Sequence, residues 1–589
     1  MHTDVKIQDR IPFEVWTEVL LLLGPKWAVI SPGRIQTPEL AKLSRVCKTW
    51  RNVLKECGRF WANIEVQVSL GFKGNEADFL ALLDNFKHYV ARSKSAPLHL
   101  TISWAYHGGD RPMQTERLLD VVLAHAHRWQ SVTLDVGGWN QAHCHGFDHI
   151  AIHLPEMTSL SSLAMENVRD GTGPWLPWLK GLLKHVPGNT LGWTSLKELR
   201  LDSDCWHRDA FYQHFNPNPY TSNTLTHVEA HVALLAAVSM VEDFPALVEA
   251  SFTFTEPRRE VWGAYVRESP VVHNHLRRLT VRTTPFLQAL VRRTFPHSPL
   301  SSILHQLTLP RLSHLGVCVN PGHAVLPVEL EAPSKDTEYA RHLMESEDWD
   351  ESRPDSEDEM NQYLGVQEDR LWDPPARYKK GFVFKRVKDK GRMFRSTLED
   401  PFFPDHLDGF LSRSPLLESL ELVAIPFKGP QLIRVLEKTP NLVQISLREV
   451  AVLREEEKLY PEPLANDALL NWLGDTFHLP HLNSIFLHLT RYPPTTGSLE
   501  SMLETRYAVV NNSAHVLKCV EVDCEEIDHT GNRKFDYARL EALQSAGLLI
   551  IARFYECRQL GKQYKQHAQR ERDTRTNFCL SKSLIVRHA

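Results

Sequence analysis

Apolar residues recur through the middle of the chain in a six-residue pattern, filling its first, fourth and sixth places. The pattern is met at Leu160/Leu163/Met165, Leu196/Leu199/Leu201, Leu225/Val228/Ala230, Leu247/Ala250/Phe252, Leu276/Leu279/Val281 and Leu312/Leu315/Val317. It resumes at Leu417/Leu420/Leu422, Leu442/Ile445/Leu447, Leu482/Ile485/Leu487 and Leu517/Val520/Val522. The last two places of each copy are two residues apart, which predicts a short strand with those two side chains on one face and their neighbours on the other. From Leu163 to Leu315 the middle residues are spaced 36, 29, 22, 29 and 36 apart. Between copies, Thr115 to Arg128 and Pro430 to Lys438 alternate apolar and charged residues at helical spacing. Near the end, Leu540, Leu543 and Ala546 lead into Gly547 and the apolar run Leu548 to Ile551, a helix, a glycine stop and a strand. One strand with one return cannot bury an apolar face alone, whereas a stack of such units can.

This spacing and pattern resemble the leucine-rich repeats. The resemblance implies a solenoid in which successive strands lie side by side and helical segments return between them. The asparagine of the family consensus is mostly missing, which implies irregular curvature. Residues flanking the buried pairs then share the solvent face of the strands, and Arg200, Asp202, Arg278, Arg282, Glu421, Arg448 and Glu521 are the candidates for contacting a target. Their mixed charge points to a protein target rather than to nucleic acid.

The N-terminal pattern is different. Pro12 suits the first turn of a helix, where its missing N–H costs nothing, and Phe13, Trp16, Val19, Leu20 and Leu23 follow at helical spacing. A second stripe, Val15, Val19 and Leu22, makes this helix apolar on more than one side, and a small helical unit can turn only part of that surface inward. Leu40, Leu43, Val46, Cys47, Trp50, Val53 and Leu54 repeat the pattern, with Thr37 and Pro38 placed to open a helix and Gly58 to stop one. Ile11-Pro12-Phe13-Glu14-Val15, then Val46-Cys47-Lys48-Thr49-Trp50-Arg51 and Phe60-Trp61 resemble the F-box, the helical module that docks on a Skp-family adaptor and so on a cullin-RING ubiquitin ligase. The resemblance spans about residues 8–66, and Trp61 matches the Leu-Trp pair common at the end of the module in fungal members. It departs from the family at Ile11 and Phe60, each standing for a Leu, and in residues 24–37, which read as an inserted loop. It implies adaptor contacts from Ile11, Pro12, Val15, Val19, Leu40, Leu43, Val46 and Trp50.

Composition changes this picture little. The chain has 589 residues, 42% of them apolar and 24% charged, which suits a globular protein with a substantial core. Its net charge of −5 gives no general attraction for nucleic acid. Nine scattered cysteines and an N-terminus without an apolar stretch point to the cytosol or nucleus, and the longest nearly uncharged run, Val232 to Val241, is too short to span a bilayer. Between Pro327 and Phe403 an acidic run, Glu345 to Glu359, precedes a basic one with interleaved aromatics, Arg377 to Arg395. Such charge predicts a disordered excursion whose two blocks neutralise each other.

His143, Cys144, His145, Asp148, His149 and His153 have the donor chemistry for zinc. No CxxC or HExxH accompanies them, and a chain with 30 histidines contains such clusters by chance, so no metal and no cofactor is assigned. Walker A, GxGxxG, GxSxG and kinase motifs are lacking as well. The expectation is therefore an α/β protein with an F-box module at 1–68, a repeat array at 69–327 and 405–556, an insertion at 328–404 and a basic tail at 557–589. It acts as a non-catalytic substrate receptor that holds a protein target for a ubiquitin ligase. The competing readings are a scaffold that binds the adaptor without ubiquitination and a metal-dependent enzyme built on the histidine cluster.

Overall fold

The computed structural model describes residues 11–23, 27–31, 34–36, 38–70, 76–106, 112–135, 157–168, 195–203, 224–232, 234–254, 269–283, 299–319, 403–423, 425, 427, 429–448, 466–489, 497–508, 517–525 and 536–555. The protein is mixed α/β, with a large, mainly parallel sheet and twelve helices among the described residues. It divides into two compact units. The first comprises Met1–Thr283, Pro299–Val317 and His406–Leu420, and the second Thr284–Ser298, Cys318–Asp405 and Glu421–Ala589. The histidine cluster 143–153, the acidic and basic runs, and the tail 557–589 lie outside the described residues.

The first unit opens with helix α1 (Phe13–Leu23), strands β1 (Ala28–Ser31) and β2 (Arg34–Gln36), and helices α2 (Pro38–Val46) and α3 (Lys48–Glu56). It continues through β3 (Asn63–Leu70), α4 (Glu76–Arg92), β4 (Leu98–Tyr106), α5 (Pro112–Leu123), β5 (Trp129–Asp135), β6 (Ser162–Val168), β7 (Glu198–Ser203) and β8 (His227–Val232). Then come α6 (Leu234–Asp243), β9 (Glu249–Phe254), β10 (Val271–Val272), β11 (Arg278–Thr283), α7 (Pro299–Gln306), β12 (Leu307–Thr308) and β13 (His314–Val319). The sheet order is β2-β1-β3-β4-β5-β6-β7-β8-β9-β11-β13, while β10 and β12 pair separately.

Register explains why the motif repeats. Ala28, Ile64, Leu100, Val132, Leu163, Leu199, Val228, Ala250 and Leu279 stand in one row across parallel strands. Ile30, Val66, Ile102, Leu134, Met165, Leu201, Ala230, Phe252 and Val281 form the next row two residues on. All of these side chains are buried. Burying each stabilises the stack by roughly 1.5–3 kcal/mol for the larger side chains, and a one-residue slip would turn a whole row to water. Helices α4 and α5 cover this core, the former through Phe79, Leu82, Leu83, Phe86, Tyr89 and Val90.

The second unit holds most of β14 (Ser419–Val423), which follows α8 (Phe403–Ser412). After it come α9 (Gly429–Leu436), β15 (Gln444–Arg448), α10 (Asp467–Gly474), β16 (Ser484–Leu489), α11 (Ser498–Ala508), β17 (Cys519–Glu525), α12 (Tyr537–Ser545) and β18 (Leu549–Tyr555). Its strands run in the order β14-β15-β16-β17-β18. The rows Ile445–Ile485–Val520–Ile550 and Leu447–Leu487–Val522–Ala552 repeat the arrangement. Gly547, at φ +108°, makes the left-handed stop between α12 and β18 that the sequence predicts.

Arginines, Arg506 buried and Arg128 and Arg413 half-buried, close several returns. Arg128 donates to Ala96 O (2.8 Å) and Ser93 Oγ (2.6 Å), Arg413 to Leu304 O (2.9 Å) and Leu307 O (3.2 Å), and Arg506 to Leu479 O (2.9 Å), Asp475 O (3.3 Å) and Leu473 O. Each satisfies carbonyls left over at the end of a helix or turn. Burial lowers the pKa of all three guanidinium groups, that of Arg506 to about 10, which leaves them charged at neutral pH.

Four expectations change. Residues 24–37, read as an inserted loop, contain β1 and β2, and β1 joins the sheet beside β3 because Ala28 and Ile30 complete its apolar rows. The boundary at 68/69 accordingly falls inside β3, and that at 404/405 falls inside α8. Repetition begins earlier than the Leu160 copy, since Trp61 and Trp129 fill the place of the leading leucine before Ile64/Val66 and Val132/Leu134. Gly58 does not stop α3 in a left-handed turn. A Cβ there would lie 2.3 Å from Ser93 O, so glycine is required for a close approach of two backbones.

Candidate functional site: the apolar face of the N-terminal helices

α1 starts where the sequence predicts, with Pro12 O accepting from Val15 N (3.1 Å) and Trp16 N (3.2 Å). It buries Thr17 and Leu20, and the Thr17 hydroxyl donates to Phe13 O (2.9 Å). Leu40 of α2 and Val53 and Leu54 of α3 are buried as well, and the Trp16 and Trp50 rings meet at 5.7 Å. Cys47 opens α3, its sulfur accepting from Trp50 N (3.4 Å). Trp61 is a structural wedge: its indole N–H donates to Leu54 O (2.7 Å), its ring meets Tyr89 at 5.2 Å, and the Arg92 guanidinium lies 4.5 Å above it.

Away from this small core, α1 leaves its second apolar stripe uncovered. Val15 is 50% exposed and Leu22 87%, with Val19, Phe13 and Leu23 also exposed. Val46, at the end of α2, is 60% exposed, and Trp27 adds a partly exposed indole. Of the residues that the resemblance assigns to an adaptor, Pro12, Val15, Val19 and Val46 are exposed, and Ile11, Leu43 and Trp50 are half-buried. Leu40 is buried and belongs to the helical core instead, because its side chain completes the packing of α2. Phe13, Leu22, Leu23 and Trp27 were not assigned a contact. Leu22 was legible in the second stripe, seven residues from Val15. The pair Arg59–Glu18, at 2.7 Å, is largely solvated and contributes at most about 1 kcal/mol.

The residues expected to contact a target lie on the polar face of the strands. Arg200, Arg278, Glu421 and Arg448 are exposed, Arg282 and Glu521 are half-buried, and Asp202 is placed in β7 by its backbone. In the first unit the arginines are joined laterally to acids on the adjacent strand or, for Arg282 and Glu229, on the next but one. Arg200 lies 3.6 Å from Glu166 and 3.4 Å from Glu229, Arg282 3.8 Å from Glu229, and Arg278 3.9 Å from Glu249. Arg282 also donates to Ser251 Oγ (3.0 Å), and His227 lies 3.8 Å from Glu249. Each exposed pair contributes little to stability and could be exchanged for contacts with a ligand. Glu166, Glu229 and Glu249 were missed, although each flanks a buried motif residue as the arginines do.

Among the described residues, no group of three or more His, Cys, Asp or Glu side chains is placed to hold a metal ion. Nor is any described helix long and apolar enough to cross a membrane. No protein-family model matches the chain, and no curated protein matches it.

Proposed function

We propose that this protein is the substrate-receptor subunit of a Skp–cullin–F-box ubiquitin ligase, with an F-box at its N-terminus and an irregular leucine-rich-repeat-like solenoid after it. One observation carries the reading: Val15, Val19 and Leu22, together with Val46, remain uncovered while Leu20, Leu40, Val53 and Leu54 fill the helical core. A stripe of this kind on a well-packed helix is surface for another molecule. The motif residues around Pro12 and Trp50 supply its identity, an adaptor of the Skp family. Docking holds the repeat face, with its lateral charge ladder, near a ubiquitin-charged enzyme elsewhere in the assembly. A target bound there is presented at high effective concentration, and the chemistry belongs to the partners. Titrating the full chain with a purified Skp-type adaptor tests docking, and reconstituted transfer of ubiquitin to a captured target tests delivery. Absence of adaptor binding overturns the proposal; binding without transfer to any captured target leaves a scaffold in its place.

A further inference from the structure

The solvent face of the second unit breaks the alternation that the first unit obeys. On every strand the residues on either side of the first buried row turn away from the core. On β3 to β9 and β11 these positions hold a single apolar residue, Ala164. On β16 to β18 they hold Ser484, Cys519 and Leu549 in one row and Phe486, Glu521 and Ile551 in the next. Leu549 is 50% exposed, and Phe486, Cys519, Glu521 and Ile551 are half-buried. Strands in a sheet lie about 4.8 Å apart, so the Glu521 position stands midway between those of a phenylalanine and an isoleucine. Its charge is felt within the patch. The pKa of the Cys519 thiol is pushed up by burial and by Glu521, which keeps it a neutral thiol at neutral pH.

A carboxylate set among apolar side chains is selective about what covers it. An apolar group laid on Phe486 and Ile551 strips water from Glu521 and returns no hydrogen bond, which is costly. An acidic group meets like charge as well. A short polar side chain can donate to the carboxylate but covers little of the patch. A lysine or arginine does both, its stem lying on apolar surface while its head group donates to the carboxylate. A guanidinium in addition stacks on a phenylalanine ring. A carboxylate has about four acceptor sites, so the contact does not require Glu521 to be free of other partners in the sheet. We propose that Phe486, Glu521 and Ile551 form an anchor for a basic side chain of the bound protein, arginine above all. This deepens the receptor reading, on which it rests, by naming the chemistry that a target presents to the second unit.

The test is retention of random peptide libraries, fixed at the central residue as arginine, lysine, leucine or glutamate, on the immobilised full chain. The arginine library should be retained roughly tenfold over the leucine and glutamate libraries, with lysine between. Glu521→Gln should abolish that preference, whereas Asp84→Asn, an equal loss of charge at an exposed position of α4, should leave it unchanged. Phe486→Ser should lower the retention of every library, and Leu549→Ser takes its place if Phe486→Ser lowers the melting temperature. An arginine preference that survives Glu521→Gln overturns the proposal. So does a preference for leucine, which makes the patch a site for an apolar partner. Retention that appears only once residues 557–589 are removed overturns it too, because the chain's own basic tail then holds the patch. Adaptor titration of the same samples keeps the two readings apart. Peptide selection without adaptor binding removes the ligase reading and leaves the anchor, and adaptor binding without peptide selection does the reverse.

Discussion

Truncating Val15, Leu22 and Val46 together to alanine separates surface made for a partner from surface that merely holds the helices together. The three changes delete two, three and two carbons, each worth about 0.8 kcal/mol when buried. Weighting by the 50%, 87% and 60% exposure that a partner could cover gives a loss of about 4 kcal/mol, or close to a thousandfold in Kd. Folding should lose no more than about 1.5 kcal/mol in all, because surface substitutions of this kind fall within about 0.5 kcal/mol each. Leu20→Ala, one turn away, is the contrast: this side chain is wholly buried, and its loss should cost roughly 2–5 kcal/mol of stability. Calorimetric titration with a purified Skp-type adaptor reads the affinity, and thermal unfolding of the same samples reads the fold. Unchanged affinity in the triple variant would refute the docking reading. A stability loss as large as that of Leu20→Ala would show instead that the stripe is part of the core.

Other expectations concern the stack. His273 is buried, with Nδ1 accepting from Leu276 N (3.0 Å) and Nε2 set 3.1 Å from Phe244 O, so the ring is neutral with its proton on Nε2. Burial lowers its pKa, the Phe244 carbonyl partly opposing this and His275 adding to it. The unfolded chain therefore binds more protons here. This contribution should be complete above the ordinary histidine pKa of about 6.5 and be lost as pH falls from there through the folded value; denaturant midpoints of wild type and His273→Asn from pH 8 to 4 should converge in acid, and parallel curves would contradict it. Arg506→Met should cost about 1–3 kcal/mol in urea unfolding by stranding the carbonyls of Leu473, Asp475 and Leu479, and no measurable loss would mean water replaces the guanidinium. Glu229→Gln loosens two lateral pairs yet should change stability by less than about 1 kcal/mol, so a larger loss in the same assay would give the ladder a structural role.

Much of the sheet was legible because every motif residue from Leu160 to Val522 is buried and serves the apolar side of its strand. Alternation alone also placed Arg200, Arg278 and Arg282 on the opposite face. Their acidic partners are 29 to 53 residues away along the chain, and a lateral pair exists only once the strands are aligned. The strands β3 to β5 were overlooked because tryptophan (Trp61, Trp129) or proline (Pro97) stands where the pattern required leucine, and β1 and β2 because strands this short leave little periodic signal in a sequence. Gly58 was assigned to the wrong cause, since the backbone it must admit, Ser93, belongs to a different helix end.

For the N-terminal helices the amino-acid pattern determined that apolar residues occupy more than one side of α1. It could not decide which side turns inward, because both stripes have the same spacing and nearly the same hydrophobicity. Packing against α3 decided that, burying Leu20 and Thr17 and leaving Val15, Val19 and Leu22 in water. Local periodicity is a property of one helix, but burial belongs to the surfaces that meet it, and those are brought together only by the folded chain.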